Sequence, residues 1–239
     1  MAPLLVLAGI VLLSVALVLV RATGGSYRIG RTLAAAMELS LTDAIKEAVD
    51  GRTSGYLRTT GRISSEEEFP DENDRPLVFR RKRLQARAGR EWRTIEDERT
   101  AVPFGIEERG TYLAVDIDAL GDGLVVVPRE ATGVASDLPE GTLAPGQALS
   151  PATPVRLRID QLSAVEHATV AGVVRPGADG QPHITAGADR PLIVTSLAPA
   201  EAMRVLAAEH RGGVRLASVL LVAGLATIAA GLVAVVVGL

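Results

Sequence analysis

Three histidines, His167, His183 and His210, are the residues of this chain best suited to acid–base or metal chemistry, because imidazole titrates near neutrality. Their spacing serves neither use. No HExxH or HxxxH pair occurs, and the chain has no cysteine, which removes thiolate zinc sites, iron–sulfur clusters, disulfides and cysteine nucleophiles together. Glu166 beside His167 invites a general-base reading, but neighbouring residues of a strand point to opposite faces. His210 falls near the end of an expected helix, where the dipole favours a cation without any catalytic purpose. Gly-x-Ser-x-Gly, GxxxxGK[ST] and a strand-to-helix GxGxxG are all absent. The pattern predicts no catalytic residue, no metal site and no cofactor.

The densest charge feature is basic: Arg80, Arg81, Lys82, Arg83, Arg87, Arg90 and Arg93, with Trp92 among them. Such a surface suits an anionic partner, whether lipid headgroups, an acidic protein face or nucleic acid, with Trp92 stacking or sitting at an interface. Two acidic runs, SSEEEFPDEND (64–74) and Glu96–Glu98, nearly balance it. A sheet face whose arginines pair internally is therefore the expected arrangement, and the open anionic-partner surface its competitor. The formal net charge of −3 supplies no global basic field, so nucleic acid is not the expected partner.

The elements that must hold these residues are framed by the chain's hydropathy. Pro3 to Val20 carries no charge and one polar side chain, Ser14; Leu216 to Leu239 carries no charge and only Ser218 and Thr227 as interruptions. A helix needs ~20 residues to cross ~30 Å of hydrocarbon, so transmembrane helices are expected over 3–20 and 214–239. A cleaved signal peptide is the alternative for the first. No Lys or Arg precedes it, and the run exceeds the usual apolar core of ~7–15 residues, so retention as an anchor is expected. Gly224 and Gly231 offer places where a neighbouring helix can approach closely. Arg21, Arg28 and Arg31 follow the first run and Arg204, Arg211 and Arg215 precede the second, while the outer flanks have no Lys or Arg. The positive-inside rule then places the central domain in the cytoplasm.

Every charged residue lies between the two apolar runs, with enough chain for one substantial core or two small ones. Leu41, Ala44, Ile45, Ala48 and Val49 recur at helical spacing; with the Ala-rich residues upstream they predict an amphipathic connecting helix over 32–50, ended by Gly51. From Tyr56 the period changes to that of strands: SGYLRTTGRIS, PLVFRRKRLQAR, EWRTIEDERTAVPFGI and TYLAVDID, then GLVVVP, PVRLRIDQL, HATVAGVVRP, PHITAG and RPLIVTSL. The run 64–74 reads as a solvated loop, and the Asp-Gly in GADGQP (177–182) as a hairpin turn. Many short strands separated by polar turns predict a mostly β domain over 52–197, α+β once the membrane helices are counted, built as small OB-like β-barrels or a sandwich. A loose echo between GYLRTTGRI and HATVAGVV suggests two related halves. Residues 198–212, with Glu201 in the first turn and Gly212-Gly213 at the end, read as a linking helix.

Several of these segments resemble one known family. PLVFRRKRLQ, REWRTIEDERTAVPFGIEERGTYLAVDIDAL and PVRLRIDQLSAVEHATVAGVVRPGADGQPHITAGADRPLIVTS, followed by a short helix and an apolar run, look like the GIDE-type domain, also called the BAM or "beside a membrane" domain. It lies between the two spans of the mitochondrial membrane-anchored ubiquitin ligases and occurs in bacterial and archaeal membrane proteins. The likeness covers roughly residues 40–239 and rests on the Trp92 strand, the Val102-Pro103-Phe104 step, the hairpin after it, and Glu166 ahead of the Gly172 strand. Pro103 fixes φ and cannot donate to a ladder, which suits an edge or bulge, and Phe104 supplies a large side chain to bury. The ligases also carry a RING whose Cys and His residues bind zinc. This chain has no cysteine from which to build one. The resemblance therefore implies recognition or scaffolding of an unidentified protein partner at the lipid bilayer, without the E3 ubiquitin-transferase activity of the ligase members.

Overall fold

The computed structural model describes residues 2–49, 55–89, 91–139, 141–143, 148–177, 180–209 and 211–237. It comprises a helical unit made from both ends of the chain, Met1–Ala35 with Pro199–Leu239, and a β unit, Ala36–Ala198. The described helices are α1 (Ala2–Ala35), α2 (Leu41–Val49), α3 (Pro199–Glu209) and α4 (Arg211–Val237).

In the helical unit, α4 holds a stretch long and apolar enough to cross a membrane, Ala217–Ala234, with mean hydropathy 2.3. The apolar run described in α1 is shorter, Val6–Val18. That helix also passes the expected boundary at Val20 and continues through Arg28 and Arg31 to Ala35. Among the described residues, one candidate span stands where two were expected. α1 and α4 run antiparallel and touch where glycine removes the side chain. A Cβ on Gly9 would lie 2.4 Å from Ile228 Cγ1 and 2.9 Å from the Gly224 oxygen, and one on Gly224 would lie 3.0 Å from Leu13. Small residues let backbones approach in this way. Gly212 and Gly213 do not end a helix: α3 stops at Glu209 and both glycines lie within α4. Glycine costs a helix only ~1 kcal/mol relative to alanine, which a long hydrogen-bonded helix absorbs.

The strands of the β unit are β1 (Met37–Glu38), β2 (Leu57–Ser64), β3 (Phe69–Pro70), β4 (Pro76–Ala88), β5 (Glu91–Ala101), β6 (Gly105–Glu108), β7 (Thr111–Val115), β8 (Leu124–Val125), β9 (Arg129–Val134), β10 (Pro154–Ser163), β11 (His167–Pro176), β12 (Pro182–Thr185) and β13 (Ile193–Thr195). Five of them close a mixed barrel in the order β2-β6-β7-β12-β11-β2. All neighbours in this ring are antiparallel except β7 and β12, which are parallel. Numbered in chain order, the barrel strands run 1-2-3-5-4-1. The hairpin between β6 and β7 turns on Arg109 and Gly110, both at positive φ (51° and 79°), as a two-residue turn matching strand twist requires.

Leu57, Ile63, Ile106, Leu113, Val170 and Ile184 fill the barrel, and Leu41 and Ala44 of α2 join them fully buried. Each large apolar side chain buried here is worth ~1.5–3 kcal/mol. Ser40 starts α2: its Oγ accepts from the Asp43 amide at 3.2 Å and donates to Asp43 Oδ2 at 2.6 Å. The expected continuous helix over 32–50 is therefore interrupted. α1 ends at Ala35, Met37–Glu38 pair with Leu57–Arg58 as β1, and a new helix begins after the serine cap. A capping serine and a free strand edge outweigh the helix propensity of the preceding alanines.

The two echoing segments, in β2 and β11, are paired neighbours within this barrel, from His167↔Arg62 to Gly172↔Leu57. They are not equivalent strands of two halves. β1, β13 and β8 extend the barrel's sheet, and the second sheet is a curled, five-stranded half-barrel in the order β3-β4-β10-β9, with β5 following β3 along the β4 edge opposite β10. The sequence reading missed β9. Its residues, REATGV, show no apolar alternation and become a strand by pairing with β10, Arg129↔Ile159 to Val134↔Pro154. A smaller core of Leu84, Ala86 and Val155 lies on one face of this sheet, with Ile95, Leu138 and Leu149 packed against it. Segment 64–74 is more than a solvated loop: Phe69–Pro70 form β3, and the Asp71 side chain is buried.

Candidate partner surface

Strand alternation divides the basic cluster between the two faces of the half-barrel sheet. Arg80 and Lys82 lie on one face. The Arg80 guanidinium sits 5.4 Å over the Phe69 ring, and Lys82 stands opposite Glu98 in the β4–β5 ladder. Arg81, Arg83 and Arg87 lie on the other face. Arg81 grips Asp97 with two hydrogen bonds (2.8 and 2.7 Å) and reaches Asp122 at 2.6 Å. The hydrogen bond from Arg81 is the leading reason that the Asp97 carboxyl is held below the usual carboxylate range, and Asp97 in turn raises Arg81. Arg83 and Arg158 converge on the buried Asp160, Arg158 Nε at 3.2 Å. Arg83 Nε itself is buried and, among the described residues, has no hydrogen-bond partner.

Trp92 occupies this same face because of a bulge. The β4–β5 register shifts between Leu84↔Glu96 and Gln85↔Thr94, leaving Ile95 as the extra residue. Beyond it, Arg87 stands opposite Trp92; in an unbroken ladder Trp92 would face the other way. The Arg156 guanidinium lies 4.8 Å over the indole. Its Nε and Nη2 donate to Gln85 Oε1 at 2.9 and 2.6 Å, and Glu130 lies 3.8 Å from Nη1. Arg93 is exposed on the opposite face, beside Ala86, and Arg90 lies outside the described residues.

The paired sheet face expected from the sequence is thus present among these arginines, but its acids are mostly different ones. Asp97 comes from the 96–98 run, whereas Asp122 and Asp160 come from distant segments. The 64–74 run supplies the Phe69 ring. Its Asp71 serves Arg75 at 3.0 Å and Arg129 at 3.6 Å instead, and the backbone amide of Arg75 is the main cause holding that carboxyl low. Arg156, Arg158 and Asp160 were not singled out, although their alternation in PVRLRIDQL already places all three on one strand face.

The remaining marked residues are dispersed. Val102-Pro103-Phe104 carries the chain from the half-barrel into the barrel: the Val102 amide donates to Val78 O (3.1 Å), Pro103 is exposed with its carbonyl accepting from Ser65 Oγ (2.5 Å), and Phe104 is buried. Glu166 is exposed in the turn before β11, so the alternation argument made for it and His167 does not apply. Its carbonyl accepts from the Ile63 amide at 2.9 Å. Gly172 is buried where β12 crosses close by, and a Cβ there would lie 2.5 Å from the Thr185 oxygen. His167 is exposed at the start of β11, His183 is half-buried on β12, and His210 lies outside the described residues.

The surface hollows among the described residues include two on the barrel side of the β unit. One of about 350 Å³ is lined by Ser64, Ser65, Glu66, Glu67, Pro103 and Tyr112. Burial first, and Glu66 second, raise the Tyr112 phenol. The other, about 520 Å³, lies along Gly61, Arg62, Glu107 and His167. Among the described residues no group of three or more His, Cys, Asp or Glu is arranged to hold a metal ion. The chain matches no protein family profile, no curated protein and no solved structure.

Proposed function

We propose that this chain is a membrane-anchored recognition or scaffold protein whose β unit binds a partner at the bilayer surface and performs no catalysis of its own. One observation carries the reading: a mutually paired arginine and carboxylate face is gathered around Asp160 on paired strands. Rigid, pre-paired charge of this kind suits specific contact with another surface. The apolar stretch Ala217–Ala234 supports anchoring. The fuller form of the proposal takes 3–20 as a second span, the β unit as cytoplasmic and OB-like, and the chain as a GIDE-like protein without a RING. The 1-2-3-5-4-1 strand order supports the OB-like part of that reading.

The test is a photo-crosslinking residue placed at Thr94 or Thr132, both exposed on the Arg81 and Arg83 face, in the full chain, in native membranes, with a matched residue at Arg175 on the barrel. A discrete protein adduct at the first two positions, lost when Arg81 and Arg83 are changed to Glu, is the expected result. Recovery of the chain in the soluble fraction, or turnover of a substrate through a mapped nucleophile, would overturn the proposal. Reporter fusions at each terminus read out the orientation. A second reading, an anionic-lipid-binding membrane organiser, is favoured by the Trp92–Arg156 stack and the exposed Arg87 beside it.

A further inference from the structure

The β4–β5 hairpin differs in charge between its middle and its distal end. In the middle, Arg81 meets Asp97 and Asp122 and Arg83 meets Asp160, while Arg99 donates to the Ile117 carbonyl and lies over the Phe79 ring. At the distal end Arg87 is exposed and, among the described residues, no carboxylate lies within ion-pair distance; its Nε donates to the Gly89 carbonyl at 3.3 Å. Across the ladder stands Trp92, and Arg156 lies over its ring. Two of the Arg156 nitrogens are held by the neutral Gln85 oxygen, and its nearest carboxylate, Glu130, is 3.8 Å away. Glu91 pairs with Ala88, on the sheet face away from Trp92. Positive charge is therefore in excess beside an indole.

We infer that this end of the hairpin, Arg87–Trp92–Arg156, is a docking site for the phosphate groups of anionic lipid headgroups. A guanidinium fork matches phosphate oxygens, and an indole with polar neighbours favours the headgroup depth of a bilayer. The apolar stretch in α4 means that the chain carries its own route to such a surface. The inference rests on the membrane-anchored reading for access to lipid, while its chemistry depends only on the hairpin. The sequence had grouped Arg80, Arg81, Lys82 and Arg83 with Trp92 as one surface. In the structure the cations beside Trp92 are Arg87, exposed, and Arg156, which shares Glu130 with Arg158 at 3.8 Å.

Trp92 is the only tryptophan in the chain, so its emission reports on this site alone. The full chain is reconstituted in nanodiscs of phosphatidylcholine, or of phosphatidylcholine with phosphatidylglycerol, with brominated lipid as quencher. Blue-shifted, bromine-quenched emission is expected only with phosphatidylglycerol, and it should weaken as added salt screens the charge. Arg87→Ala should weaken the response about fivefold and Arg87→Glu should abolish it, while Arg175→Ala leaves it intact. Far-UV circular dichroism confirms that each variant is folded. Equal emission in the two lipids, or a response retained in Arg87→Glu, overturns the inference. So does a Trp92 shift with polyglutamate and none with lipid, which would point to a protein partner. If the chain does not enter nanodiscs, the anchored reading fails by itself; vesicles of the same two compositions, added to the soluble chain, then decide the docking site.

Discussion

Asp160→Asn should destabilise the β unit by ~2 kcal/mol, a loss far larger than its place in a polar sheet face suggests. Asp160 is 5% exposed and receives both Arg83 and Arg158. Breaking a fully buried ion pair from one side costs ~3–5 kcal/mol, because the abandoned charge stays desolvated. Two features lower that figure here. The Arg83 and Arg158 side chains keep 23% and 16% of their surface in water, and Arg158 retains Glu130 at 3.8 Å. Asparagine also still accepts one hydrogen bond, which leaves about half of the full penalty. In a domain of this size ~1 kcal/mol moves the midpoint by ~2–4 °C, so the expected fall is ~4–8 °C. The assay is thermal and urea unfolding of the full chain in detergent, followed by Trp92 fluorescence from the same sheet. A combined Arg83→Met, Asp160→Leu, Arg158→Met variant should lose less than Asp160→Asn, since it leaves no unpaired charge. A loss below ~0.5 kcal/mol in Asp160→Asn, or a triple variant worse than the single one, would refute the account of a desolvated hub.

Three further outcomes are expected. Thr59 is fully buried in the barrel and, among the described residues, its hydroxyl has no hydrogen-bond partner; Thr59→Val should therefore stabilise by ~1 kcal/mol in the same melts, and a loss would reveal a satisfied hydroxyl. Asp97→Asn should cost less than ~1 kcal/mol at neutral pH, the scale of a partly exposed pair. Because the folded-state pKa of Asp97 is depressed, that contribution is present above the unfolded value of ~3.9 and is lost as pH falls through the lower folded value. Wild type and variant should converge in acid, and a gap that persists there refutes the assignment. Gly9→Ile forces a Cβ to within 2.4 Å of Ile228 Cγ1 and should lower the thermal midpoint of helical circular dichroism in detergent by the equivalent of ~1–3 kcal/mol; an unchanged midpoint would mean that α1 and α4 do not meet there.

Local pattern carried a large part of this molecule. The apolar run 217–234, the strand alternation of β2, β4, β10 and β11, and the absence of thiolate chemistry all follow from residue type and spacing, because hydrophobic period and cysteine content act over short range. The hairpin between β11 and β12 is likewise formed, with Gly180 at φ 77° and the Gly177 amide on Gln181 O at 2.7 Å; Ala178 and Asp179 lie outside the described residues. Three matters were settled only in three dimensions. β9 has no signal of its own and exists because β10 offers an edge. Neutralisation of Arg81 and Arg83 depends on Asp122 and Asp160, 41 and 77 residues away, which no reading of neighbouring charges can pair. The company of Trp92 turns on a single extra residue, Ile95: one bulge reverses which face the indole joins, and side-chain period alone cannot say where a ladder slips.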